Sequence, residues 1–306
     1  MSVTVAAVDT ASDRGLMARV KGYVALTKPR IIELLLVTTV PTMVVAARGL
    51  PSGWLVLATM VGGTLAAGGA NAINMYVDRD IDRIMRRTRN RPLVTGVVSP
   101  SGALVFAVVL EVLAFAELWW AVNLLSAVLA VSATLFYVFV YTLWLKRTST
   151  QNIVIGGAAG AVPVLVGWAA VTDHLALAPL VMFGIIFVWT PPHFWALAVR
   201  YREDYAAAEV PMLPAVRSLA DTSRRIVAYT AVLGALSLVL APVAHLGLLY
   251  LVAATLVGAV FMVRAVQLLR SESAAAAMRL FGWSITYLTV LFVAMAGDVL
   301  VRRFWP

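Results

Sequence analysis

Three side chains able to share a divalent cation recur one helical turn apart: Asn74, Asp78 and Asp82. At i, i+4 and i+8 their direction drifts by only about 40° over two turns of α-helix, so all three line one face. Asp80 points roughly the opposite way. A carbonyl oxygen and two carboxylates suit Mg2+, which takes one or two protein carboxylates and fills its octahedron with water and phosphate oxygens. Arg83, Arg86, Arg87, Arg89 and Arg91 follow, and arginine holds phosphate through bidentate, charge-assisted bonds. The stretch Asn71–Leu93 therefore predicts a metal–phosphate site. The plainer reading is a solvated basic loop with incidental acids.

Two further stretches carry chemistry. Tyr137 and Tyr141 share a helix face leading to Lys146 and Arg147. The cations can clamp a diphosphate, and the rings can line a path for positive charge. An aromatic belt with a positive-inside pair is the competing account. Then Trp189-Thr190-Pro191-Pro192-His193 breaks helical hydrogen bonding and exposes carbonyls, which is tolerated where backbone lines a cavity. Arg202, Glu203 and Asp204 follow, with Glu209 beyond. Of three histidines, His174 and His245 fall in short loops on the other side, whereas His193 lies near the motif side. Its imidazole can be satisfied by a freed carbonyl, hold Asp204 or serve a ligand.

These residues must be positioned by a membrane bundle. The 306-residue chain is 62 % hydrophobic and only 13 % charged, with a mean hydropathy of +0.91, far from the balance of a soluble domain. Nine apolar segments of crossing length are predicted near 31–47, 53–73, 101–120, 122–144, 152–171, 178–199, 225–244, 246–268 and 280–300. Of 24 basic residues, 21 fall in one set of loops, which puts the N-terminus in the cytoplasm, the C-terminus outside and every motif loop on the cytoplasmic face. The net charge of +9 follows these loops and does not indicate nucleic acid. Absent cysteine excludes disulfides and thiolate metal sites. Residues 1–21 read as a disordered cytoplasmic tail and 22–306 as one polytopic domain. Gly62, Gly63, Gly68, Gly69, Gly156, Gly157 and Gly160 predict close helix packing. Glu33 is given no role, Glu111 is a mid-segment acid, structural or functional, and Asp298 is expected to meet Arg302 or Arg303.

Asn74-x-x-x-Asp78-x-x-x-Asp82 followed by Arg91-Pro92-Leu93 resembles the first aspartate-rich motif of the UbiA superfamily of intramembrane prenyltransferases. Trp189-x-Pro191-Pro192-His193-Phe194-Trp195, Asp204-Tyr205-x-x-Ala208-x-Val210-Pro211-Met212-Leu213-Pro214, residues 152–163 and Thr27-Lys28-Pro29-Arg30 are similar to its haem-farnesylating branch. The superfamily's second motif is usually Asp-x-x-x-Asp, but Arg200 stands four before Asp204.

The resemblance implies an all-α, UbiA-like bundle in the cytoplasmic membrane. It implies farnesyl transfer from farnesyl diphosphate to a vinyl group of haem B, with water, giving haem O and diphosphate. Haem B is then a substrate, and Mg2+ the cofactor, held by Asn74, Asp78, Asp82 and Asp204. Asn74, Asp78, Asp82, Lys146 and Tyr141 become the catalytic candidates, Arg91, Lys146, Arg147 and Arg202 the diphosphate contacts, and His193 the haem contact. A downstream haem A synthase or oxidase assembly factor is the implied recipient. Competing readings are a UbiA-type transferase acting on a quinone precursor or chlorin, a transporter, and a structural subunit. A transporter predicts charges near the midplane, whereas these acids collect at one face.

Overall fold

A computed structural model describes the backbone of residues 5–304 and the side chains of residues 15–29 and 37–303. Every described regular element is helical. α1 (Val5–Leu26) and α2 (Pro29–Ala46) precede α3 (Gly53–Val77) and the short α4 (Arg79–Ile84). α5 (Pro100–Ala121) and α6 (Leu124–Leu135) lead into a π-helix, Phe136–Leu145, and one last turn, α7 (Lys146–Thr148). α8 (Asn152–Thr172) and α9 (Leu177–Arg200) are followed by short α10 (Arg202–Ala207) and α11 (Leu213–Val216). α12 (Leu219–Val243), α13 (Leu248–Ser271) and α14 (Ala274–Phe304) close the bundle.

Eight helices among the described residues are long and apolar enough to cross a bilayer, and they match eight of the nine expected segments. The segment expected at 31–47 falls within the 18-residue α2, of which the side chains from residue 37 onward are described, and Val37–Ala46 is apolar. The tail expected to be disordered through residue 21 is helical from Val5. Its alanines and long unbranched side chains favour helix, and no proline interrupts it before Pro29.

The spans bury one side and leave Val105, Val112, Trp120, Phe139, Leu143, Trp144 and Leu256 exposed on the other. In water that surface would be a liability; here it faces hydrocarbon. Trp195, Tyr250, Tyr287, Phe261 and Phe292 are fully buried in a core shared by α9, α12, α13 and α14. Two tyrosine hydroxyls within that core are matched, as hydrocarbon demands. The Tyr250 hydroxyl donates to the Ser237 carbonyl, and the Ser237 and Tyr287 hydroxyls are 2.6 Å apart.

α3 packs closely on α5 because Gly69 has no side chain. A Cβ there would sit 2.6 Å from Glu111 Oε1. Glu111 also accepts from Thr134 Oγ1 at 3.2 Å, which places this mid-segment acid in a helix contact. Asp298 forms no ion pair with an arginine among the described residues. It accepts from the Gly247 and Tyr250 N–H groups and caps α13, while Arg302 donates to the His245 carbonyl. Helix-terminal N–H groups lack intrahelical partners, and the carboxylate supplies one. The side chain of Glu33 lies outside the described residues.

Candidate active site

Asn74 lies in the last turn of α3, and Asp78 caps its end. The ladder runs through this break: Asp78 N–H donates to the Asn74 carbonyl and Asp82 N–H to the Asp78 carbonyl, each at 2.9 Å. The predicted face therefore survives a change of helix. Asn74, Asp78 and Asp82 are buried at 3 %, 0 % and 2 % exposure, whereas the Asp80 side chain is 60 % exposed.

Each buried acid meets a cation. Lys146 Nζ bonds Asp78 Oδ2. Arg91 pairs with Asp82 at 2.6 Å. Asn74 Nδ2 donates to Asp78 Oδ2 at 2.8 Å and to Thr142 Oγ1 at 3.2 Å, while its Oδ1 accepts from Lys28 Nζ at 2.8 Å. The amide oxygen expected to face a metal thus faces an ammonium. Asp78 Oδ1 is buried without a hydrogen-bond partner. A buried anionic oxygen left alone is costly, and such an atom fits a bound cation. No three acids or histidines among the described residues form a complete metal cage, in keeping with Mg2+, which takes much of its shell from substrate and water. Asp78 and Asp82 therefore fit the ion, and Asn74 braces Asp78 and Lys28 beside it.

The π-helix brings Lys146 to this face. Thr142 Oγ1 donates to the Tyr137 carbonyl at 2.8 Å, and Lys146 N–H reaches back five residues to Tyr141. Tyr137 and Lys146 are nine residues apart, about two and a half α-turns, which would put them on opposite faces. With i→i+5 bonding a turn takes a little over four residues, so nine make close to two turns and the faces coincide. Tyr137 and Tyr141 stack with centroids 5.3 Å apart. Tyr141 lies on α8 where Gly156 leaves room; a Cβ there would be 2.3 Å from Tyr141 Cδ2.

Lys28 and Thr142 are site residues that the motif reading missed. Lys28 adopts φ 52°, ψ 63° immediately before Pro29. A left-handed, non-glycine residue at such a position costs about 1–3 kcal/mol and persists only where its surroundings impose it. Asn71 Nδ2 donates to the Thr27 carbonyl at 3.0 Å and holds this turn against α3. Burial, then the charges of Arg91 and Lys146, bring the Lys28 ammonium down to about 7, against the opposing pull of Asp78 and Asp82. The only sequence signal for Lys28 was its place in the Thr-Lys-Pro-Arg run. Thr142 had none.

The later motif packs over the first. Ile81 and Met85 share a cluster with Ala198, Tyr205, Val210 and Met212, against which Tyr141 rests. Asp204 accepts from Arg86 Nε at 2.9 Å and from Arg87 N–H at 3.3 Å. Burial pushes its carboxyl upward, but the bonds from Arg86 and Arg87 outweigh this and hold it below the usual carboxylate value. Both oxygens are thus committed to the 84–87 segment. Glu203 pairs with Arg86 at the surface, and exposed Glu209 takes φ 53° where the loop turns back. Arg147 is held by Asp80 through two bonds of 2.7 Å, away from Asp78. That hydrogen bond also holds Asp80 down at about 2. Arg202 is exposed and forms no ion pair among the described residues. These two arginines do not join the buried set, because their side chains turn to the solvent side of the short helices that carry them. His193 lies elsewhere, between α9 and α14.

Comparison with known proteins identifies the family. Residues 35–295 match the UbiA prenyltransferase family. A protoheme IX farnesyltransferase of Leifsonia xyli is 53 % identical over 290 residues, covering 94 % of each chain. One of Streptomyces coelicolor is 51 % identical over 297 residues, covering 95 % of this chain and 94 % of the relative. A digeranylgeranylglyceryl phosphate synthase structure superposes with a TM-score of 0.77 at 16 % identity, covering 92 % of this chain and 99 % of the other. A UbiA homologue from Archaeoglobus fulgidus bound to DMAPP and Mg2+ gives 0.62 at 16 % identity, over 88 % of this chain and 98 % of its own. At such identities these structures speak for the fold alone. The chain belongs to the UbiA prenyltransferase family.

Proposed function

We propose that the chain transfers the farnesyl group of farnesyl diphosphate to a vinyl group of haem B, with addition of water, giving haem O and diphosphate. The observation that carries this is the buried Asn74/Asp78/Asp82 face, matched by Lys28, Arg91 and Lys146 at the end of an apolar bundle. Relatives over half identical across nearly the whole chain are protoheme IX farnesyltransferases, which supports the choice of acceptor.

The reaction breaks the allylic C–O bond, and its electron pair leaves with diphosphate. Asp78 and Asp82, with Asn74 bracing Asp78, would hold Mg2+, which would supply Lewis-acid neutralisation of that diphosphate. Lys28, Arg91 and Lys146 bind its oxygens, and their charges are worth most where the leaving group becomes most negative. Arg147 is left out, since Asp80 holds its guanidinium. Arg202 is left out as an exposed residue, and Asp204 is assigned to anchoring the 84–87 segment. The Tyr137 and Tyr141 rings present electron-rich faces to the allylic cation. The vinyl π pair forms the new C–C bond. Water adds to the cation left on the former vinyl group and gives up a proton. The surrounding apolar side chains keep water from the first cation.

The motif loops are assigned to the cytoplasmic face from the distribution of basic residues. A downstream haem A synthase or oxidase assembly factor would receive the product. The test is incubation of the protein in membranes with haem B, farnesyl diphosphate and Mg2+, with chromatographic detection of haem O. Asp78→Ala should abolish product while Asp80→Ala retains most of it. No haem O from the unaltered protein would overturn the reading.

A further inference from the structure

The His193 ring lies between Trp189, at 4.2 Å and nearly parallel, and Phe281 of α14, at 4.6 Å. Phe194 meets it edge-on at 5.3 Å. Its Nδ1 is 2.7 Å from Ser284 Oγ. Proton counting decides which of the two donates. A serine hydroxyl has one proton. Ser284 Oγ also lies 2.6 Å from the Phe281 carbonyl oxygen, which can only accept, so the hydroxyl proton goes there. The proton between His193 and Ser284 therefore sits on Nδ1.

A neutral imidazole with its proton on Nδ1 keeps a lone pair on Nε2. No described residue hydrogen-bonds to Nε2, and the residue retains 7 % of its exposure. Ser284 is fixed in turn, because Trp189 Nε1 donates to its carbonyl at 2.8 Å. The chain His193 Nδ1–H, Ser284 O–H, Phe281 carbonyl is polarised in one direction, which strengthens each bond. If packing were the sole need, phenylalanine would fill the same aromatic stack without leaving an unpaired nitrogen.

We propose that Ser284 is a positioning residue for haem: by accepting the Nδ1 proton it fixes the tautomer of His193 and presents the Nε2 lone pair to the iron of haem B. The proposal rests on haem B being the acceptor. It makes the last helix part of the haem site, while Thr190, one turn before His193 on α9, packs on Gly157 of α8. Metal-bound histidines take their orientation and basicity from the hydrogen bond at the other ring nitrogen. A hydroxyl is a weaker acceptor there than a carboxylate, which suits a substrate that must leave.

The test uses the full-length protein in detergent, titrated with ferric haem B and followed by absorption and electron paramagnetic resonance. His193→Ala should abolish the imidazole-ligation signature. Ser284→Ala should weaken haem affinity by about tenfold and shift the spectrum toward that of His193→Ala, while Ser284→Thr, which keeps the hydroxyl, restores both. Binding of farnesyl diphosphate with Mg2+ should be unchanged in all three and serves as the fold control. If Ser284→Ala fails that control, Ser284→Cys carries the same comparison. A wild-type spectrum and affinity in the folded serine variant would overturn the role of Ser284. An unchanged spectrum in His193→Ala, with haem O still formed by the unaltered protein, would overturn iron ligation while leaving farnesyl transfer standing. Failure of the unaltered protein to make haem O removes the premise itself, and the proposal with it.

Discussion

Replacing Lys146 by methionine separates the buried ion pair from its exposed neighbour. Asp78 is 0 % exposed and the Lys146 side chain 13 %. Removing one partner of a buried pair leaves an uncompensated charge and costs about 3–5 kcal/mol. Asn74 Nδ2 still donates to the same carboxylate, so the expected loss is at the lower end, about 3 kcal/mol. Arg147→Met is the control. Its pair with Asp80 is 34 % and 60 % exposed, and exposed pairs are worth about 1 kcal/mol or less. Unfolding of the detergent-solubilised protein should show that difference directly. Turnover should fall about 100-fold in Lys146→Met, the scale of losing one charged donor at a developing anion. Lys146→Met combined with Asp78→Asn should regain most of the stability, since neither charge is left alone, and none of the activity. Equal destabilisation by Lys146→Met and Arg147→Met, or no recovery in the double variant, would refute the buried-pair reading.

Gly156→Ala should cost about 1–3 kcal/mol by forcing Tyr141 off α8, and should slow product formation. Gly160→Ala, where a Cβ meets nothing within 4 Å, should be silent in both unfolding and rate. Asp204 links the two motif loops, and its folded carboxyl titrates below its ordinary value. Its stabilisation is therefore complete above the unfolded carboxylate value, about pH 4, and is lost as pH falls through the folded value. Proteolysis within 84–88 should rise over that acid range, and Asp204→Asn should flatten the dependence; a pH-independent cleavage rate in the unaltered protein would contradict the link. The absence of cysteine from the chain allows single cysteines at Asp80, Thr148 and Glu203 to be labelled from either side of sealed vesicles, and labelling of any of them from outside would contradict the assigned orientation.

Composition made the membrane class legible, and the i, i+4, i+8 spacing made the Asn74/Asp78/Asp82 face legible, because burial at one helix face follows from geometry that needs no neighbours. The charges were harder to assign. Arg91 and Lys146 enter the site and Arg147 and Arg202 do not, although all four stand beside motif acids. Adjacent helical positions differ by about 100°, so which of Lys146 and Arg147 turns inward depends on local helix phase. The π-helix sets that phase. Had α6 continued as an α-helix to Lys146, that lysine would point away from the face of Tyr137, and another residue would have met Asp78. A π-turn carries no composition signal in Phe136–Leu145, which is apolar throughout apart from the Tyr137 and Tyr141 hydroxyls and Thr142. What holds it is long-range. Thr142 Oγ1 donates to the Tyr137 carbonyl while accepting from Asn74 on a different helix, and Gly156 makes room for Tyr141. The same dependence on a distant partner hid Lys28, whose left-handed backbone is held through Thr27 by Asn71 of α3. The carboxylates of this site are local to one stretch of sequence, whereas its cations converge from three, and only packing among α3, α8 and the π-helix decides which of them arrive.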